Sequence, residues 1–214
     1  MLSMIRQLEQ QYPEAIRKYT WLKWLFKAYS LTDDCISREL ADRASRGDRL
    51  PACADGCHEC CLRNEIILSK LELQGLSWYL SEVLTGDARE TLRKHLVDFV
   101  PDQLADVVKP CPFLVSGRCG VYPMRPLTCR IFYVLGDRCP SGEDAAMARS
   151  ADFMAFHKSM YVNGATAVLQ GMGYGTAREC RKLAESGTLV KVVRPLQAMP
   201  LGVLVATMDA LAKD

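Results

Sequence analysis

Residues 52–61 read ACADGCHECC, with cysteines at 53, 57, 60 and 61. Four thiols in nine residues admit three uses: a disulfide knot, a redox pair or a metal site. The rest of the chain bears on the choice. Its 214 residues hold ten cysteines, and its first twenty residues lack the continuous apolar run of an export signal. The expected setting is therefore cytoplasmic, where thiols stay reduced and structural disulfides are disfavoured. Cysteine clusters in such a chain bind metal or do chemistry. A redox pair made of Cys57 and Cys60 would need a βαβ context, and none is legible around it.

A second cysteine region, CPFLVSGRCGVYPMRPLTCRIFYVLGDRCP, runs from Cys111 to Pro140 with further cysteines at 119, 129 and 139. Eight of the ten cysteines thus fall in two groups of four. Four thiolates complete a tetrahedral zinc site or hold one iron–sulfur cluster. Cys57 and Cys60, two residues apart, can aim both sulfurs at one metal from a single tight turn. Adjacent Cys60 and Cys61 point differently, so they more easily reach different irons or two different sites. Metal held by four thiolates carries negative charge, which guanidinium groups and N–H donors offset. Arg118, Arg125, Arg130 and Arg138 lie in this region against one acid, Asp137. Arg125 and Arg130, which flank Cys129, are the expected cofactor contacts. Thiol count does not separate zinc from iron–sulfur, and the Cys-Pro pairs at 111–112 and 139–140 bear only a weak resemblance to ferredoxin-type ligation. His58 reads as a solvated loop residue, and His95 and His157 as structural residues on helices. Cys35 and Cys180, outside both groups, read as inert buried thiols.

Around these loops the pattern is helical. Apolar residues recur at helical spacing over 4–28, with Pro13 breaking the run. Trp21 and Trp24 read as a core or docking face, and Arg17, Lys18, Lys23 and Lys27 as the solvated one. Thr32, Asp33 and Asp34 read as the cap of a second helix over 33–46, closed by Gly47. Residues 65–68 are expected to be extended. Ser69 and Glu72 form an S-x-x-E capping box for a helix to about Leu84. Another helix is expected over 87–98, and a short one between Pro101 and Pro110. A small hairpin is expected near 112–122, turning at Ser116-Gly117. A long helix follows from Ser141 to about Gln170, stopped by Gly171, Gly173 and Gly175. A short helix near 177–185, a strand-like TLVKVV at 188–193 and a final helix near 200–212 complete the reading. The fold class is mainly α: a helical scaffold around two cysteine-rich loop regions. Residues 1–50 form an N-terminal helical segment, 51–140 a metal-binding core, and 141–214 a C-terminal helical segment packed on it as one compact domain.

With 49% hydrophobic residues the chain can bury a sizeable core. A formal charge of +2 gives no reason to expect a specific nucleic acid or an anionic membrane as partner. No window approaches 18 uninterrupted apolar residues, so no membrane span is expected.

The order of motifs supports a family resemblance. CADGCHECC, then EIILSKLE, then CPFLVSGRCGVYPMRPLTCRIF and a later Cys-Pro resemble the YkgJ-like cysteine-cluster proteins, over about residues 53–140. That family is described as zinc- or iron-chelating and as containing Fe–S clusters. The resemblance implies metal ligation by Cys53, Cys57, Cys60, Cys61, Cys111, Cys119, Cys129 and Cys139. Three residues separate Cys53 from Cys57 where such proteins also show shorter spacings. The implied function is a cysteine-ligated metal-binding protein, Fe–S before zinc, with a redox, metal-handling or accessory role and a protein partner met through the helical flanks. The alternatives are a structural zinc protein and, through a branch resembling the flagellin lysine methylases, a methyltransferase-like enzyme. Two further motifs are weaker. The glycines at 171, 173 and 175 follow a helix, whereas a nucleotide-binding loop follows a strand. The Cys53, Cys57 and Cys60 triad matches radical-enzyme spacing, but the chain lacks the βα repeats that such a barrel needs.

Overall fold

The computed structural model describes residues 3–53, 56–63, 65–99 and 109–210. It is mainly helical. The described α-helices are α1 (Met4–Gln11), α2 (Pro13–Lys18), α3 (Leu22–Arg46), α4 (Glu59–Arg63), α5 (Lys70–Trp78), α6 (Gly86–Asp98), α7 (Leu127–Arg130), α8 (Ala145–Ala148), α9 (Lys158–Gly171), α10 (Ala177–Glu185), α11 (Thr188–Val192) and α12 (Gly202–Ala210). Two short antiparallel pairs accompany them. β1 (Ile67–Leu68) pairs with β4 (Arg194–Pro195), and β2 (Leu114–Val115) with β3 (Arg118–Cys119). The helix expected between Pro101 and Pro110 lies outside the described residues.

The long helix α3 is the spine. Leu22, Leu25, Phe26, Tyr29 and Ile36 recur on one face and are buried. They meet α9, α1, α2 and α5. Where α3 crosses α9, a Cβ on Gly164 would stand 3.1 Å from the Thr32 hydroxyl, so the absence of a side chain permits the approach. Trp78, from the end of α5, sits edge-on to Tyr12 and Phe26 at centroid separations of 5.5 and 5.7 Å. Trp21 and Trp24 pack against this core, as expected of a docking face. α12 closes the other side against α6 and α5. One buried cluster therefore runs from Ile5 to Met208 and takes in Cys111, Phe113, Val121 and Met124 of the second cysteine region.

Three expectations are corrected. Thr32, Asp33 and Asp34 start no new helix, because α3 runs through them unbroken. The Thr32 hydroxyl donates to the carbonyl of Ala28, Asp33 pairs with Arg130, and Asp34 pairs with Arg6. Cap-forming side chains tolerate a helix interior when they find partners there. The single helix over 141–170 is instead α8 and α9, separated by a 3-10 turn at Ser150–Asp152 and a β-bridge from Phe153 to Val134. The backbone at 152–154 bonds to 133–135 (Leu135 N–H to Asp152 carbonyl 2.8 Å, Met154 N–H to Tyr133 carbonyl 2.9 Å), and those groups are lost to any helix. The α8 end is capped by Asp144, whose carboxylate accepts from Met147 N–H at 3.2 Å. The strand-like TLVKVV winds into α11 after Gly187, which takes the left-handed φ of 76°. The strand that pairs with β1 lies just beyond it, at Arg194–Pro195.

Other expectations match. Pro13 opens α2 at its first turn. Gly47, with φ 71°, closes α3. Ser69 and Glu72 form the capping box of α5, which continues as a π-helical turn over Tyr79–Val83. α9 ends at Gly171 with no strand before it, so the three glycines terminate a helix.

Candidate metal centre

The second cysteine region is built as a small hairpin seated on the core. Ser116 and Gly117 both take positive φ, 50° and 73°, the geometry that lets a two-residue loop follow the strand twist. Cys119 therefore lies opposite Leu114. Phe113, Val121 and Met124 are buried and anchor the hairpin and the turn after it. Cys111 is buried too, and its N–H donates to the carbonyl of Cys61 at 2.6 Å. That bond joins the two cysteine regions directly. His95 and Cys111 line one hollow of about 380 Å³ beside the hairpin.

Cys129 sits in the single turn α7, which is held from three sides. The Glu72 carboxylate accepts from Leu127 N–H at 2.8 Å while its other oxygen accepts from the Ser69 N–H and hydroxyl. The Thr128 hydroxyl donates to the carbonyl of Ile67 at 3.0 Å. Arg130 is almost wholly buried. Its guanidinium donates to both carboxylate oxygens of Asp33, at 2.8 and 2.9 Å, and to the carbonyls of Arg125 and Pro123. It also stacks 4.0 Å over the Tyr29 ring. Burial pushes the Glu72 carboxyl and the Tyr29 phenol above their usual ranges.

The two arginines expected beside Cys129 thus part company. Arg130 spends its donors on Asp33 and backbone carbonyls and fixes the loop. Arg125, half-buried over the Tyr122 ring at 4.1 Å, is the one whose charge reaches Cys119 and Cys129 and opposes the upward push of burial.

The first cysteine region is clamped differently. Pro51 and Leu135 form a β-bridge, Ala52 N–H donates to the Val134 carbonyl at 3.3 Å, and Gly136 N–H donates to the Leu50 carbonyl at 2.9 Å. These contacts place Cys53 beside the strand-like chain leading to Cys139. Arg149 donates to the carbonyls of Asp137 and Leu135, at 2.6 and 2.8 Å, and pairs with Asp152. Its charge favours the Cys139 thiolate against burial, which pushes that thiol up. Further on, Gly142 N–H donates to the Glu59 carboxylate at 2.8 Å. His58 has its Nδ1 2.9 Å from the Gly56 carbonyl, and its ring lies next to Gly117 at the hairpin turn. The segment from Gly56 to α4 is therefore held between the hairpin and the chain around Cys139.

All ten cysteines are free thiols. Cys111 is buried, Cys60, Cys61, Cys119, Cys129 and Cys139 are half-buried, and Cys53 and Cys57 are exposed. Burial pushes the thiols of Cys111, Cys119 and Cys129 up. Cys60 is pushed up by its hydrogen bond with Cys61 and then by burial. In every pairing among Cys60, Cys111, Cys119 and Cys129 the two thiols are close enough for one thiolate to oppose the other's ionisation. Cys57 and Cys139 likewise stand close enough to Cys53 to oppose its ionisation, as does Cys60, and Cys57 stands as close to Cys139. Among the described residues, no three Cys, His, Asp or Glu side chains converge tightly enough to grip one ion as the chain stands. The donor chemistry nevertheless fits a soft or borderline metal: eight reduced sulfurs from three chain segments, with cationic Arg125 and Arg149 beside them.

The remaining candidates lie elsewhere. Cys35, on α3, is half-buried and accepts from Arg38 at 3.2 Å, and Cys180 is buried with its thiol 3.5 Å from the Gly175 carbonyl. His157 caps α9, accepting from Ser159 N–H. Sequence reasoning missed three residues that shape the site: Asp33, Arg149 and the second task of Glu72. Glu72 was visible as a cap, but the Leu127 N–H that it also binds is 55 positions away.

Residues 52–157 match the model of the CxxCxxCC family, described as a "putative zinc- or iron-chelating domain". The match takes in all eight clustered cysteines. The family name spells two residues between the first and second cysteines, whereas this chain has three between Cys53 and Cys57. No curated protein and no solved structure matches the chain. Among the described residues no helix is long and apolar enough to cross a membrane.

Proposed function

We propose that this chain, whose residues 52–157 belong to the zinc- or iron-chelating CxxCxxCC family, holds iron–sulfur through its clustered cysteines and serves as a redox or accessory protein. One observation carries the reading. Free thiols distant in sequence lie within electrostatic reach of one another, with no disulfide among them. Cys53, Cys57, Cys60, Cys61, Cys111, Cys119, Cys129 and Cys139 are the candidate ligands. When bound, an iron–sulfur group supplies one-electron chemistry at a potential set by charge, hydrogen bonds and solvent exposure. The chain's own residues set those terms. Arg125 and Arg149 place positive charge beside the sulfurs. The Asp33–Arg130 pair and Glu72 hold α7 in place, and the Cys111 to Cys61 backbone bond fixes the two regions together.

A reducing, cytoplasmic setting belongs to this reading, since thiols must escape oxidation to ligate metal. A protein partner belongs to it as well, met through the helical flanks, where Val190 and Val203 stand exposed. The test is anaerobic purification with iron, zinc and acid-labile sulfide assayed on one sample beside the visible spectrum. Iron with matching sulfide and a brown, oxygen-sensitive chromophore is the expected result. Stoichiometric zinc without sulfide would replace the redox role with a structural clamp. A metal-free, fully stable protein would sink both.

A further inference from the structure

The eight clustered thiols differ in what holds them. Cys111, Cys119 and Cys129 sit on the hairpin and α7, and all three pack in or against the buried core. Their backbone is locked by Phe113, by Glu72 and by buried Arg130 in its pair with Asp33. Cys53, Cys57 and Cys139 have no place in that core. Their segments are held by the bridges between 50–52 and 134–136 and by the Gly142 to Glu59 bond, and Cys53 and Cys57 face solvent. Between the two sets lies α4 with Cys60 and Cys61. Cys61 packs against the core, while Cys60 stands within electrostatic reach of both sets. Successive residues of a helix point about 100° apart. Two neighbouring sulfurs therefore do not serve one tetrahedral point easily, and a mononuclear zinc or a single cluster takes four thiolates, not eight.

We propose that the eight thiols form two metal sites of unequal depth. Cys111, Cys119 and Cys129 belong to an inner site against the helical core, and Cys53, Cys57 and Cys139 to an outer site at the surface. Cys60 and Cys61, at the boundary, give one sulfur to each. The proposal rests on the reading of the cysteines as metal ligands and adds their division. The inner metal is shielded and slow to leave. The outer one exchanges readily, because half its ligands are exposed and its segments are held by backbone bonds near solvent.

The test uses the full-length chain, purified anaerobically, as wild type and as Cys57→Ser, Cys119→Ser and the double variant. Metal per chain is assayed directly, and its release to excess EDTA is followed in time. Each single variant is expected to keep half the wild-type metal and the double variant none. Wild type should release metal in two phases, the faster one missing from Cys57→Ser. Because Cys119→Ser removes a partly buried thiol, circular dichroism checks its fold. Cys53→Ser and Cys139→Ser carry the same prediction as Cys57→Ser without touching the hairpin. Loss of all metal in Cys57→Ser, full retention in it, or single-phase release from wild type overturns the division while leaving cysteine ligation intact. Absence of metal from wild type fails the underlying reading instead, and shows before any variant is made.

Discussion

Ser69 and Glu72 begin α5 with the same device by which Thr176 and Glu179 begin α10. In each, the hydroxyl accepts the N–H three residues on, at 3.3 and 3.4 Å. In each, the carboxylate takes the cap's own N–H, at 2.7 and 2.8 Å, and its hydroxyl at 2.8 Å. Yet burial raises the Glu72 carboxyl above its ordinary value, whereas the bonds from Thr176 lower that of Glu179. Glu72 is sealed beneath α7 and holds Leu127 with its second oxygen, while Glu179 stands in water. One local motif has two energetic meanings. The first copy ties the scaffold to the turn that carries Cys129, and the second only starts a helix.

The largest effect should come from the partner of that buried copy. Arg130→Met removes the buried member of an ion pair, in which one guanidinium nitrogen donates to both Asp33 oxygens, and leaves Asp33 facing its place. It should cost about 3–5 kcal/mol of stability in urea denaturation, as breaking a buried pair does. A loss no larger than that of a surface substitution would mean that α7 is not held through Arg130.

Glu72→Gln comes next. A glutamine offers one oxygen where the carboxylate uses two, so either the Ser69 or the Leu127 donors lose their acceptor. The expected cost is about 1–3 kcal/mol, that of a buried unsatisfied donor. The variant should also release metal faster if α7 positions Cys129. Thr176→Ala should cost only about 1 kcal/mol, as an exposed cap does, with metal content unchanged. Equal costs for the two boxes would break the comparison.

The smallest and sharpest contrast is in pH. A raised folded-state value means that the Glu72 contribution is fully present below the ordinary value of 4.5 and is lost as pH rises through the folded one. A lowered value means the reverse for Glu179. Its contribution is present above 4.5 and lost as pH falls through the folded value. The stability difference between wild type and Glu72→Gln should therefore shrink as pH rises above 4.5, while that for Glu179→Gln should grow as pH rises toward 4.5 and level off above it. Denaturation midpoints of each pair, compared at each pH, check the two slopes. Slopes of the same sign would show that burial does not separate the boxes.

Much of this architecture was legible along the chain, and the failures share a cause. The Ser69 box, the Gly47 stop, the Ser116-Gly117 turn and the break at Pro13 depend on dihedral preferences and bonds within a few residues. The cap read at Thr32–Asp34 failed because Asp33 finds Arg130 and Asp34 finds Arg6, far along the chain. The helix read through 149–157 failed because backbone at 133–135 claims the same groups. At 188–193, β-branched residues suggested a strand, but the chain there winds onto α10. In the candidate site, the cysteine spacing pointed to metal chelation, in line with the family match. Arg130 read as a charge for the cofactor, and its burial against Asp33 and Tyr29 could not be inferred from its place beside Cys129.

The sequence by itself determined a mainly helical chain, a small hairpin and two cysteine-rich loops of the zinc- or iron-chelating type. Those features rest on composition, spacing and near-neighbour geometry. Only the tertiary structure decided which thiols lie near which, which arginine faces them, and which carboxylate is sealed from water. Such choices are made by bonds and burial between segments tens of residues apart, and no local pattern encodes those distances.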